Sequence, residues 1–387
     1  MIQQEHLIQE VQEVPFINLR FEEDFEDKVM QRWKMALDSR GFIAGEACKE
    51  LEESILEFTK AKYFTPCANG TDAIQLALRA VGVGKNDKVL LPDFTFWATY
   101  EAVLNVAAEP IMVDINPQDF QMDFDLFVLA CEKYKPKAAI IVHLYGWCSA
   151  RLDEFRSYCK KNEIFLIEDG AQSIGSKFNG EPIFQSAFLA TTSFYPAKVL
   201  GAAGDAGGVF SSNREINEVC TKLANHGRSS HYGHEYVGWN SRMDELQAHF
   251  LVESLKHLQA RIDSRREAEH KYLNFQKQNM QNLNLPLQMK ECPSNVASNG
   301  YLQVSIAKTS FKELSAKLKE FGIGTGNVYP SPMSAQVGAK SLIQGEPLLV
   351  TKDKVTYEVS SKVINLPLFP YITDPELQVV MNALKKV

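Results

Sequence analysis

The chain has 387 residues and a formal net charge of −7 at pH 7, and 45% of its residues are hydrophobic. This composition is typical of a soluble globular protein that is long enough for a large domain and a smaller one. The acidic balance argues against a general nucleic-acid-binding protein, which needs a basic face. We expect no membrane span and no secretory signal, and therefore a cytoplasmic protein, because no 18-residue apolar stretch or basic leader occurs.

The cysteines and histidines lack the spacing of a metal site or a disulfide framework. The seven cysteines are odd in number and contain no C-x-x-C pair, which is typical of reduced thiols. The histidines contain no H-E-x-x-H pair. We therefore predict no metal ligands in this chain.

The hydrophobic pattern predicts an α/β fold for most of the chain. Residues 1–13 are polar and without periodicity, and we expect a mobile N-terminal lead-in there. The pattern then predicts helices over 22–39, 46–58, 72–81 and 97–105, and strands over 88–92, 110–114, 137–143, 164–169, 188–192 and 209–211. Apolar strands that alternate with helices indicate a mostly parallel sheet covered on both faces. We assign this sheet to a large domain over residues 14–255.

The last third of the chain has a different pattern. A long helix is predicted over 244–278, followed by an irregular segment over 285–299. A strand over 301–306 and helices over 311–321 and 374–386 come after it. We therefore predict a smaller α+β domain over residues 256–387.

Lys198 is the first candidate for chemistry, because it stands in a turn between two predicted strands. A lysine in a turn is ordinarily solvated surface. Here Pro196 stiffens the backbone, Ser193 places a hydroxyl upstream, and the glycines from Gly201 onward allow a large group to approach the main chain. This setting suits a lysine that holds a carbonyl cofactor through its amine, since a desolvated amine becomes nucleophilic near neutral pH.

An acid at the end of a buried strand is the second candidate. Asp169 ends the strand predicted over 164–169, where a buried carboxylate needs a partner. A protonated pyridine nitrogen would be such a partner, and the ion pair would keep the ring able to accept electrons. Gln172 lies three residues further on and could bond a ring substituent. The alternative is an ordinary strand-end acid that caps the next helix.

A phosphate site is predicted where Gly70, Thr71 and Asp72 start a helix, because free amides and the helix dipole attract anions there. Plain helix capping is the alternative. Ser193 could add a further hydroxyl to the phosphate. Phe96 follows the strand predicted over 88–92, and we place its ring on a cofactor face.

In this order, the motifs of the chain resemble the DegT/DnrJ/EryC1/StrS family of pyridoxal-phosphate-dependent nucleotide-sugar aminotransferases. The matching segments are VPFINL at 14–19, GFIAGEACKELEE at 41–53, CANGTDAIQLAL at 67–78, PDFTFWAT at 92–99, HLYGWCSARLDE at 143–154, EDGAQSIGS at 168–176, SFYPAKVLGAAGDAGG at 193–208, GWNSRMDELQA at 238–248 and LPLFPYITDPE at 366–376. The resemblance implies a fold-type I enzyme with a mostly parallel seven-stranded sheet and a smaller C-terminal domain.

The resemblance also assigns roles to residues. It implies that Lys198 binds pyridoxal phosphate and moves the proton, that Asp169 pairs with the pyridine nitrogen, and that Gln172 contacts the ring hydroxyl. It assigns cofactor contacts to Phe96 on the ring and to Gly70, Thr71, the Asp72 backbone amide and Ser193 at the phosphate. Asn240 resembles a residue that reaches the phosphate from a neighbouring subunit, which implies a homodimer with shared sites. Arg242 and Tyr329 are implied substrate contacts, Arg242 at a nucleotide-sugar pyrophosphate.

Within the family, the segments at 226–232, 238–248 and 322–333 are most similar to enzymes that aminate C3 of a UDP-linked 3-keto-N-acetylhexosamine. Such enzymes supply amino or diamino sugars to lipid A or surface polysaccharides, with L-glutamate as the donor and 2-oxoglutarate as its product. The chain departs from the family at Val328 and at Met333-Ser334, where histidines are common. The alternatives are a dTDP- or GDP-linked 3- or 4-keto-6-deoxysugar as substrate, and a regulatory or sensor protein that binds the cofactor without turnover.

Overall fold

The computed structural model of the chain describes residues 13–230, 232–279, 284–342 and 348–387, and it leaves out the side chains of residues 340–342. Of the lead-in predicted over residues 1–13, residues 1–12 lie outside the described part. Within the described ranges, no helix combines the length and the apolar character that crossing a bilayer requires.

Helices lie between most of the strands. Their bounds are α1 (Phe25–Ser39), α2 (Glu46–Thr59), α3 (Gly70–Ala80), α4 (Trp97–Asn105), α5 (Phe124–Tyr134), α6 (Leu152–Lys161), α7 (Arg214–Ala224), α8 (Glu245–Asn279), α9 (Phe311–Glu320), α10 (Val337–Leu342), α11 (Val355–Ser360) and α12 (Asp374–Lys386). The helices predicted over 97–105 and 374–386 are confirmed to the residue as α4 and α12. The long helix predicted over 244–278 is confirmed as α8, shifted by one residue.

Strands form one large sheet and two small ones. Their bounds are β1 (Tyr63–Cys67), β2 (Lys88–Pro92), β3 (Glu109–Val113), β4 (Ala138–Val142), β5 (Phe165–Asp169), β6 (Lys177–Phe178), β7 (Glu181–Pro182), β8 (Leu189–Ser193), β9 (Gly207–Ser211), β10 (Leu287–Met289), β11 (Val296–Ala297), β12 (Gln303–Ala307), β13 (Leu349–Val350) and β14 (Val363–Leu366). The prediction of a wholly irregular segment over 285–299 is wrong, because β10 and β11 lie within it.

The large sheet has the strand order β1-β9-β8-β5-β4-β2-β3-β13. The neighbours from β8 through to β13 run parallel, whereas β9 is antiparallel to both β8 and β1. The expected α/β fold with a mostly parallel sheet is confirmed. Seven of these strands have five residues each, and the two-residue β13 adds an eighth from the C-terminal part.

The sheet topology brings two predicted site residues, Asp169 and Ser193, to the same edge as Asp93. Asp93 follows the end of β2, Asp169 ends β5 and Ser193 ends β8, and these three strands are parallel. Ligands of such sheets gather at the carboxyl ends of the strands. The candidate site therefore lies at this edge.

The buried apolar residues form two main clusters. The larger surrounds the large sheet and includes Leu258 and Ile262 from the first half of α8. The smaller contains Tyr272 from the second half of α8, together with residues of α9, α12, β12 and β14. The boundary predicted between residues 255 and 256 lies inside this continuous helix, and the division into two domains stays a prediction.

The N-terminal segment packs against the C-terminal part. Val14 belongs to the smaller cluster, and its backbone exchanges hydrogen bonds with Gly322 and Gly324 at 2.9 and 2.8 Å. Arg20 donates through Nη1 to Glu376 Oε2 at 3.0 Å. The two ends of the described chain are thus joined directly.

Glu245, the first residue of α8, caps another helix. The N-cap of α2 is Gly45, which has no side chain to offer. The buried Glu245 carboxylate accepts the backbone N–H groups of Gly45 at 2.6 Å, Ala47 at 2.9 Å and Cys48 at 3.1 Å. It thereby satisfies donors that a helix start leaves without partners. This contact fixes the start of α8 directly after Asn240 and Arg242.

Candidate active site

The start of α3 and the end of β8 form a tight backbone cradle. A Cβ added to Gly70 would lie 2.7 Å from the Ser193 Cβ, and one added to Gly207 would lie 2.4 Å from the Asn69 carbonyl carbon. Only glycine allows these backbones to approach so closely. The amides of Gly70 and Thr71, as the first two of the helix, have no partner within α3. An anion fits this position.

The cradle differs from the sequence prediction at Asp72. The helix starts at Gly70 rather than at residue 72, and Asn69 is its N-cap. The Asp72 N–H donates to Asn69 Oδ1 at 2.8 Å, so this amide is already engaged within the protein. Ser193 Oγ lies near the cradle and accepts the Tyr195 N–H at 3.3 Å.

Asp169 is a carboxylate held in the interior by neutral donors. Its side chain is 5% exposed; Oδ2 accepts the Thr99 hydroxyl at 3.0 Å and Oδ1 accepts the Ala171 N–H at 3.1 Å. Burial raises the pKa of Asp169, and these two bonds together with the Lys198 charge oppose that rise. Lys198 is thus close enough to act on Asp169 electrostatically.

A threonine pair supports Asp169 from α4, and sequence analysis missed it. The hydroxyls of Thr95 and Thr99 lie 2.9 Å apart, and Thr99 is the residue that bonds Asp169. The spacing of four residues at a helix start was the available signal, because it places two side chains on one face.

Lys198 lies in a turn that the backbone closes tightly. Its N–H donates to the Tyr195 carbonyl at 2.8 Å, and a Cβ on Gly201 would fall 2.3 Å from the Pro196 oxygen. The lysine is half-buried. Its Nζ lies 5.2 Å from the centroid of the Tyr301 ring, a cation–π distance. The amine therefore lies over the face of the Tyr301 ring.

Gln172 is fixed at both ends of its side-chain amide. Oε1 accepts the Tyr145 N–H at 2.6 Å, and Nε2 donates to the Tyr329 hydroxyl. The Tyr329 ring packs against the rings of Phe94 and Tyr145, with centroid distances of 5.7 and 5.9 Å. Burial holds the pKa of Tyr329 well above its ordinary value, so its hydroxyl stays neutral.

Phe96 has a different setting, because its side chain is 60% exposed. It is the N-cap residue of α4, three positions before Thr99. A large exposed aromatic ring at the start of the helix that carries Thr99 is available to stack on a planar ligand.

Asn240 and Arg242 contact each other. Arg242 donates to Oδ1 of Asn240 and, at 3.1 Å, to Oδ1 of Asn225. Between them, the Ser241 hydroxyl accepts the Ala68 N–H at 3.3 Å, next to the cradle. The Ser241 bond thus links this pair to the phosphate side of the site, and Asn240 itself is exposed.

Glu168 lies beside Asp169 in sequence but has other partners. It is fully buried and bonds Arg156 at 2.8 and 2.9 Å and His143 Nε2 at 2.9 Å. Although burial raises its pKa, Arg156 and His143 lower the pKa of Glu168 to about 2. His143 N–H also donates to the Asp169 carbonyl at 2.9 Å, which joins this buried ion network to the site.

These residues together fit pyridoxal phosphate. The glycine cradle matches a phosphate, the buried Asp169 matches a cationic ring nitrogen, and the half-buried amine of Lys198 matches an aldehyde. The exposed Phe96 ring leaves room for a planar group.

A model of the DegT/DnrJ/EryC1/StrS aminotransferase family matches residues 23–385. The chain belongs to this family. The enzyme class predicted from the motifs, an aminotransferase, and its cofactor, pyridoxal phosphate, are confirmed.

Curated relatives align with nearly the whole chain. A pleiotropic regulatory protein of Geobacillus stearothermophilus is 34% identical, covering 95% of this chain and 97% of its own. A UDP-2-acetamido-2-deoxy-3-oxo-D-glucuronate aminotransferase of Pseudomonas aeruginosa is 33% identical, covering 96% and 99%. A UDP-N-acetyl-3-dehydro-α-D-glucosamine 3-aminotransferase of Acidithiobacillus ferrooxidans is 32% identical, covering 96% and 97%.

Solved structures of the family share this fold. DesV of S. venezuelae superposes with a TM-score of 0.88 at 28% identity and covers 97% of this chain and 98% of its own. NtdA of Bacillus subtilis, solved with bound cofactor PMP, has a TM-score of 0.87 at 28% identity and covers 97% and 85%.

Replacing Gly70 with alanine tests the cradle. The new Cβ would lie 2.7 Å from the Ser193 Cβ, and such overpacking costs about 1–3 kcal/mol. We expect the Kd for pyridoxal phosphate, measured by fluorescence titration, to rise roughly tenfold or more. Gly84→Ala is the matched control, because the nearest atom to its Cβ is 4.0 Å away. Equal cofactor affinity in both variants would show that the cradle does not bind the cofactor phosphate.

Replacing Glu168 with glutamine tests the ion network. The pKa of this group is about 2 in the folded chain against an ordinary 4.5, so its contribution is present above pH 4.5 and is lost as the pH falls towards 2. We expect Glu168→Gln to cost about 3 kcal/mol in the free energy of unfolding at pH 7 and markedly less at pH 3. Urea unfolding at fixed protein concentration measures this.

The exposed Glu163→Gln is the control for that experiment, and its effect should be small at both pH values. A Glu168→Gln penalty that stays constant between pH 7 and pH 3 would show that the charge of Glu168 does not stabilise the fold.

Proposed function

We propose that this family member transfers an amino group from L-glutamate to the C3 keto group of a UDP-linked 3-keto-N-acetylhexosamine. The product would be an amino sugar for lipid A or a surface polysaccharide. One observation supports the proposal above all. The Lys198 amine, the buried Asp169 carboxylate and the Gly70 cradle lie at the same edge of the sheet.

Each group has a distinct part in transamination. When bound, pyridoxal phosphate supplies an electron-accepting ring that acidifies the Cα–H bond of the amino donor. Asp169 would keep a proton on the ring nitrogen, because a buried carboxylate is stabilised by a cation beside it. The Lys198 amine would hold the cofactor and, once displaced by the donor amine, would take the proton from the donor Cα and deliver it to the aldehyde carbon of the cofactor.

The choice of acceptor rests on two lines of support. The Pseudomonas and Acidithiobacillus relatives are named for UDP-linked 3-oxo or 3-dehydro sugars, and each covers 96% of this chain. Tyr329 would face the sugar with a neutral hydroxyl, and Arg242 would meet the pyrophosphate. A dTDP- or GDP-linked keto-6-deoxysugar is the alternative acceptor.

A second candidate function is regulatory. The Geobacillus relative is named a pleiotropic regulatory protein, and a sensor would bind the cofactor without turnover. Against this, the electrostatic contact between Lys198 and the buried Asp169 supports turnover. The reaction with L-glutamate separates the two functions.

We also propose that the enzyme acts as a homodimer. The segment before Asn240 exposes Tyr232 at 88% and Val237 at 83%, and α1 exposes Met30 and Met35 at 61% and 62%. Exposed apolar side chains on this scale are typical of interaction sites. A second copy seated there would bring its Asn240 towards the cradle of the first.

Replacing Lys198 with alanine tests the assignment of the amine. We expect the absorbance of lysine-bound cofactor to disappear and turnover to fall by at least about 10⁴-fold. The exposed Lys177→Ala is the control and should keep both. Wild-type enzyme should lose the same absorbance with L-glutamate and recover it with the correct keto-sugar nucleotide. Indifference to every amino donor would support the regulatory function.

Mixing two inactive variants tests the shared site. In a heterodimer of Asn240→Ala with Lys198→Ala, one site keeps both residues if Asn240 acts on the partner subunit's cofactor. A random mixture should then recover up to about a quarter of wild-type activity. Activity no higher than the sum of the separate variants would indicate self-contained sites.

A further inference from the structure

The loop over residues 327–334 is held at both ends. At one end, Gly326 exchanges backbone hydrogen bonds with Asn365 of β14, at 3.0 and 2.7 Å. At the other end, the Met333 N–H donates to the Asp93 carbonyl at 2.8 Å. Tyr329, the residue that bonds Gln172, lies between these two anchors.

The Asp93 side chain completes the second anchor. Its Oδ1 accepts the Ser334 N–H at 2.7 Å and its Oδ2 accepts the Ser334 hydroxyl at 3.0 Å. The carboxylate is 0% exposed, and among the described residues Ser334 alone donates hydrogen bonds to it. A buried carboxylate is costly without such donors. We call this contact the Asp93–Ser334 clasp.

Burial raises the pKa of Asp93 to about 6; the two Ser334 donors oppose the rise and the nearby Asp114 adds to it.

Asp114 makes a similar anchor one strand away. It accepts the hydroxyl of Thr356 and the N–H of Val355 at 2.6 and 2.8 Å. This fixes the start of α11, whose Tyr357 hydroxyl lies 3.1 Å from Ser334 Oγ.

The turn that begins with Asp93 also contains residues next to the proposed cofactor site. Phe94 packs on the Tyr329 ring, Thr95 contacts Thr99 and through it Asp169, and Phe96 is exposed at the cofactor face. The clasp therefore connects the loop of Tyr329 to the turn over residues 93–96, which contacts Asp169 through Thr99. A displacement of Ser334 would shift Tyr329 relative to that turn.

We propose that Asp93 and Ser334 are positioning residues that fix Tyr329 and the loop 327–334 for the acceptor sugar. They act through hydrogen bonds and touch no reacting atom. Their role is to set the KM for the acceptor, with little part in the reaction with the amino donor. This inference rests on the proposed function and deepens it.

Kinetics of the cofactor-bound enzyme give the first test. Asp93→Ala and Ser334→Ala should raise the KM for the keto-sugar nucleotide by roughly tenfold or more. The rate with L-glutamate, measured from the cofactor absorbance in single turnovers, should change by less than about twofold. Because the two residues form one contact, the double variant should be no worse than Asp93→Ala.

Asp93→Asn is the conservative variant. Its Oδ1 can still accept the Ser334 N–H and its Nδ2 can donate to the Ser334 hydroxyl. We therefore expect its KM for the acceptor to stay within about threefold of wild type. Equal losses with glutamate and with the sugar in Ser334→Ala, or additive effects in the double variant, would overturn the proposal.

Hydrogen–deuterium exchange gives a test that needs no sugar. In the cofactor-bound protein, Ser334→Ala should speed exchange of the amides in 327–334 by roughly tenfold. Ser331→Ala is the matched control within the same loop, because among the described residues its hydroxyl donates only to the Pro332 carbonyl, at 3.4 Å. Unchanged exchange in Ser334→Ala would show that the Asp93–Ser334 clasp does not hold the loop. If the wild-type enzyme reacts with glutamate but with no keto-sugar nucleotide, the proposed acceptor is wrong. The exchange measurement still tests whether the Asp93–Ser334 clasp holds the loop.

Discussion

A carboxylate without a bonded cation in the protein interior is the constraint on which the site depends. Asp169 is buried, and its hydrogen bonds come from the neutral Thr99 hydroxyl and Ala171 N–H. Removing a charge from water is expensive unless a counter-charge lies nearby. Among the described residues, Lys198 and His143 act on the carboxylate electrostatically without bonding it, so the free energy favours a cationic ring in this place. The fold therefore supplies a buried negative charge that the cationic ring of the cofactor would balance.

Two neighbouring acids show how a strand separates structural from chemical roles. Successive side chains of a strand point to opposite faces, so Glu168 and Asp169 have different surroundings. Glu168 is neutralised by Arg156 and His143, and its pKa is low. Asp169 has no ion-pair partner within the described part of the chain, and its pKa is raised. The first acid stabilises the sheet, which leaves the second one fixed in position and electrostatically available.

Sequence analysis could predict the parts of the site that are local. Lys198 in its turn, Asp169 at a strand end and Gly70 at a helix start were identified because backbone geometry and residue type at one position decide them. Contacts between distant segments escaped it. The Asp93 bond to Ser334 spans 241 residues, and the cap of α2 comes from Glu245, about 200 residues away. No period or motif encodes such pairs, since they exist only after the chain has folded.

The joining of the two ends of the described chain has a consequence for biosynthesis. Val14 pairs with residues near 323, and Arg20 contacts Glu376, 356 residues later. A nascent chain emerging from the ribosome therefore has to hold its first segment undocked until almost all of translation is complete. Contacts of such separation slow folding and leave apolar surface uncovered in the meantime. Val14, which is fully buried in the folded chain, would be accessible to chaperones during that interval.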